Sequence, residues 1–72
     1  MTEIEIEAIR WAVAGLLQGA AEFRQKAGSD EKWAADVKSD VTRQGFLESA
    51  ARFAAYARGL EAGAAALAKE AT

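Results

Sequence analysis

The strongest constraint in this 72-residue chain is a seven-residue repeat in its C-terminal part. Phe46, Ala50, Phe53, Ala57, Leu60, Ala64, Leu67 and Ala71 follow one another at steps of 4, 3, 4, 3, 4, 3 and 4. An average step of 3.5 residues is the period of a helix packed lengthwise against another helix. Every second member of the seam is alanine, so a neighbouring backbone can come closer than leucine against leucine would allow. Large side chains of each helix then fill the space above the alanines of the other, in knobs-into-holes fashion.

The N-terminal part carries a matching seam. Ile6, Ile9, Val13, Leu16, Ala20, Phe23 and Ala27 step by 3, 4, 3, 4, 3 and 4. The first helix opens at Thr2, where Thr2-Glu3-Ile4-Glu5 fits a capping box and Met1 and Ile6 fit the accompanying staple. Glu3, Glu5 and Glu7 place negative charge at the positive end of the helix dipole, which accounts for that acidic cluster without any catalytic role. Gly28 suits the left-handed position that ends a helix. Ser29 suits the cap of a second, shorter one, with Asp30 and Glu31 in its first turn and Trp33 and Val37 on its apolar face. Thr42 is the preferred cap of the third helix and Asp40 its rival. The expected fold is therefore all-α and single-domain over residues 1–72, with helices at about 3–27, 30–39 and 43–70. The long–short–long order makes the two long helices a closely packed, Ala/Gly-rich antiparallel hairpin.

Composition narrows what such a domain can do. Proline, cysteine and histidine are absent, and 19 residues are alanine. Without cysteine or histidine there are no disulfides and no common zinc or haem ligand set, so no cofactor or metal is expected. Nor is there a nucleophile–base pair or a phosphate-cradling glycine loop, and no catalytic residue is assigned. The formal net charge of −2 is too balanced for a nucleic-acid binder and too weak for DNA mimicry. The run from Trp11 to Ala21 is too short to span a bilayer, and no basic segment precedes it as in a signal peptide. A cytoplasmic protein follows as the expectation. A chain this short has a marginal core and leans on helix packing or a partner subunit.

The candidate functional residues lie off the seams. Gly15/Gly19 and Gly59/Gly63 each have G-x-x-x-G spacing, costing about 1 kcal/mol of helix propensity per glycine unless close contact offsets it. Ala8, Ala12, Gly15 and Gly19 form a row of small residues beside the first seam. At about 100° per residue, Trp11 and Ile4 project roughly opposite that seam. Apolar residues on two faces of one helix ask for two neighbours. The second neighbour is either the short helix folding back through Trp33 and Val37, or another protein. Trp11, Ile4, Ala8, Gly15 and Trp33 are the expected partner-binding residues, since tryptophan tends to anchor interfaces.

These observations rank three functions. The first is a non-enzymatic protein–protein interaction module, most simply a homodimeric helical bundle or an adaptor. The second is a small inhibitor of the phage- or mobile-element type that docks on a larger protein. The third is a helix-turn-helix DNA binder, suggested by Ala34–Val37 followed by Val41–Gln44. It is weakened by an overlong turn and by basic residues that share no face. The Trp-x-Gly motif of secreted helical hairpins is not met, because Trp33-Ala34-Ala35 lacks the glycine, and no family is assigned.

Overall fold

The computed structural model describes residues 1–72, which form two helices and not three. Helix α1 spans Glu3–Asp36 and α2 spans Asp40–Glu70, joined by three residues. The long–short–long arrangement with helices at 3–27, 30–39 and 43–70 is thereby corrected, while the antiparallel hairpin stands. Gly28 ends nothing, and no residue has a positive φ. The reason lies in the seam. Ala27, Asp30, Ala34 and Val37 continue at steps of 3, 4 and 3 in the phase of the residues before them. Breaking the helix at Gly28 would forfeit the burial of Ala34, which is as complete as that of Ala20. One glycine costs a helix only about 1 kcal/mol.

The helix ends follow local chemistry. Thr2 caps α1 as the sequence indicates. Its hydroxyl accepts from the Glu5 amide at 3.2 Å, and the Glu5 carboxylate accepts from the Thr2 amide at 3.3 Å. Ser39, not Thr42 or Asp40, caps α2, its hydroxyl accepting from the Thr42 amide at 3.3 Å. Asp40 instead takes the first turn of α2, where it pairs with Arg43 at 2.7 Å. Arg43 also donates to the Val37 carbonyl at 2.8 Å and so ties the connection down. The last turn of α1 holds no basic residue to match the dipole, and Val37 and Ser39 are extended.

The core is a line of alanines. The six buried residues are Ala20, Ala27 and Ala34 of α1 and Ala50, Ala57 and Ala64 of α2, with Ala57 wholly enclosed. Cross-helix neighbours fix the register: Phe23 stacks on Phe53, Leu60 lies beside Gly19, and Leu16 beside Gly63. That register sets Ala20 level with Ala57 and Ala27 level with Ala50. The larger seam residues Ile9, Leu16 and Phe23, with Phe46, Phe53, Leu60 and Leu67, run along one flank of the alanine line and are only half-buried.

The resulting molecule is a rod with Cα extents of 56 × 13 × 11 Å. Its radius of gyration is 16.5 Å, against roughly 11 Å for a compact chain of this length. Two helices side by side enclose one line of contact and no interior. The accessible surface of 5302 Å² exceeds the roughly 4,300 Å² of a compact monomer of this mass by about 1,000 Å².

Candidate protein-interaction surface

Two surfaces stand out. The first is the outer side of α1 near its start. Ile4 is 79% exposed and Trp11 is 75% exposed, and Ala8 and Gly15 lie exposed beside them. Nothing comes within 4 Å of the place a Cβ on Gly15 would occupy. Helix α1 runs on past Gly28, so no short helix folds back over Trp11. Trp33 belongs elsewhere. It sits 22 residues further along the same helix, about 33 Å at the usual rise, and is 60% exposed. The expected five-residue set is thus one patch of four and a separate tryptophan near the turn. The apolar face expected of the short helix also moves, since the residue packed there is Ala34, not Trp33.

The second surface is the flank carrying the larger seam residues. At its middle Phe23 and Phe53 stack at 5.8 Å between centroids, with Tyr56 edge-on to both at 5.4 and 6.3 Å. The Lys26 ammonium lies 5.5 and 5.7 Å from the two phenylalanine ring centroids, within cation–π range. Leu16 and Leu60 continue the row by lying over the glycines of the opposite helix. A Cβ on Gly19 would come within 3.2 Å of Leu60, and one on Gly63 within 3.8 Å of Leu16. Each G-x-x-x-G pair therefore has one glycine at the helix contact. The other member, Gly15 or Gly59, faces open space.

Toward the turn the row meets Asp30, whose position in the repeat corresponds to those of Phe23 and Leu16. One carboxylate oxygen of Asp30 is buried without a hydrogen-bond partner. Shallow grooves on this flank share Asp30: one holds Glu22, Lys26, Ser29 and Phe53, the other Thr42, Gly45, Phe46 and Ser49. A polar group in an apolar row weakens the contact it interrupts.

The opposite flank carries the salt bridge between the helices. The Arg24 guanidinium donates twice to the Glu61 carboxylate, at 2.8 and 2.5 Å. That hydrogen bonding holds Glu61 below the usual carboxylate range and raises Arg24 above its already high value. Both side chains remain over a third exposed, so the pair fixes register more than it stabilises.

No three carboxylates converge where they could hold a metal ion, and the grooves are shallow surface features. No helix is long and apolar enough to cross a membrane. No protein-family model, characterised protein or solved structure matches the chain.

Proposed function

We propose that this chain is a non-enzymatic protein–protein interaction module that completes its core against another helical surface, in the first place a second copy of itself. One observation carries this reading: every buried residue is alanine, and no larger apolar residue is fully buried. Among them Trp11, Trp33, Leu17, Leu47 and Tyr56 are 44–75% exposed. Burial of apolar area is the main favourable term in folding and in most association, and here much of it is unspent. The excess surface of about 1,000 Å² compares with the roughly 800 Å² that each partner gives to an interface of standard size. The want of a nucleophile–base pair supports a role without catalysis, and a cytoplasmic site belongs to the same reading.

Sedimentation equilibrium tests it. We expect a species above the 7.6 kDa of one chain at micromolar concentration, with helicity and melting temperature that rise with concentration. A 7.6 kDa monomer at high micromolar concentration, with a concentration-independent melt, removes self-association.

The patch of Ile4, Ala8, Trp11 and Gly15 favours a second reading, that of an adaptor or inhibitor docking on a larger protein. This patch lies on the outside of α1, and an exposed tryptophan beside small residues is a common anchor. Replacing Trp11 with glutamate is expected to abolish capture of such a protein and to leave helicity unchanged. DNA binding has less in its favour, since the antiparallel pair presents no short recognition helix.

A further inference from the structure

We infer that the second copy packs on the flank of Phe23, Phe53, Leu16 and Leu60, with a two-fold axis parallel to the hairpin, and that Glu22 of each copy pairs with Arg52 of the other. The inference rests on the self-association proposed above and specifies its face and symmetry.

The choice of flank follows from where side-chain bulk lies. The flank of Leu17 and Leu47, 48% and 44% exposed, is bridged by Arg24 and Glu61, whose salt bridge a facing copy would have to cover. The other flank displays a row of half-buried apolar side chains from both helices, with the aromatic cluster at its middle. A facing copy would bury what the hairpin leaves wet.

The symmetry follows from the rims of that flank. Each rim is formed by the residues two positions after the alanine line. On α1 these are Ala8, Gly15, Glu22, Ser29 and Asp36, and on α2 they are Ala66, Gly59, Arg52 and Gly45. A two-fold axis parallel to the hairpin lays α1 of one copy antiparallel to α2 of the other at unchanged level. The level is known from Phe23 lying against Phe53. Rim residues then meet within about one helical turn: Ala8 with Ala66, Gly15 with Gly59, Ser29 with Gly45, and Glu22 with Arg52. Small meets small and Glu22 meets Arg52, while Asp36 at the turn end lies beyond the rim of the facing α2. Neither Glu22 nor Arg52 has a salt-bridge partner within its own chain. An axis across the hairpin would instead set Glu22 and Arg52 against the uncharged stretches around Gly15 and Gly59, removing both from water without a partner.

Charge exchange tests this on the full chain, because both side chains are exposed and the hairpin does not depend on them. Glu22→Arg alone and Arg52→Glu alone each bring like charges together twice per dimer. Each is expected to weaken self-association on the order of tenfold at low salt, with helicity unchanged. The double variant should recover it. Mixing the two single variants should give a heterodimer tighter than either homodimer, read by sedimentation or by native mass spectrometry. A dimer indifferent to both substitutions, with no preference in the mixture, overturns this face while leaving self-association standing. Disruption by Trp11→Glu in that case would place the contact on the outer side of α1. A monomer at all concentrations overturns both.

Discussion

The two lines of the seam behave differently although they share one period. The alanine line is closed along its length, its six alanines at 0–6% exposure. The line of larger residues beside it stays only partly buried. Small side chains let the backbones approach, and once they have approached, no space remains between them for phenylalanine or leucine. The bulky residues are pushed to one side, where they cover the neighbouring helix's glycines and wait for a further surface. Close packing within the hairpin and incomplete burial on its flank are thus the same event.

Substitutions should separate the lines, the largest effect falling on the closed one. Ala57→Leu inserts three carbons where exposure is zero and must separate the helices. We expect a loss of about 3 kcal/mol or more in urea unfolding, with α1 and α2 melting as weakly coupled helices. Leu60→Met, three residues away on the open line, should cost under about 1 kcal/mol because its volume is conserved. Equal costs at the two sites would remove the distinction.

Asp30→Leu sharpens it from the other side. The substitution restores an apolar residue to the open line and removes the buried, unpartnered oxygen. We expect a gain of about 1 kcal/mol in unfolding free energy, and stronger self-association as well. A loss of stability would mean that Asp30 is satisfied by a group on an assembled partner. Gly28→Ala, where nothing lies within 4 Å of the added carbon, should raise stability by about 0.8 kcal/mol through helix propensity alone. The same change at Gly19 should gain less or lose, because the added carbon would meet Leu60 at 3.2 Å.

The smallest effect belongs to the exposed salt bridge. The pKa of Glu61 is lowered in the folded state, so its contribution is present above the ordinary carboxylate range and is lost as pH falls through its depressed value. Thermal melts of the wild type and Glu61→Gln should differ slightly at neutral pH and converge in acid. A difference that persists below the carboxylate range would point to packing of the Glu61 stem.

Much of this was legible in the residues. The two seams, their phase, the antiparallel pairing and the Thr2 capping box follow from spacing and local chemistry. The misread segment was Gly28–Ser39, where a glycine beside a serine and two acids reads locally as an end and a new start. The continuing phase through Asp30, Ala34 and Val37 held the counter-signal. It was obscured because an aspartate occupies a position where the repeat elsewhere places Phe23 and Leu16. Local propensity yielded to packing that only the facing helix supplies. The outward projection of Trp11 was also legible, since it depends only on the helical turn.

The sequence is enough to show that two long helices pair and which stripe each offers, because periodicity is a property of one stretch of chain. It could not determine that the alanines alone would become the core. That depends on how near the backbones come, and nearness is set jointly by both helices, by Gly19 under Leu60 and Gly63 under Leu16. Only the tertiary structure decided which side of the seam the large residues would occupy, and so which flank is left for another protein to cover.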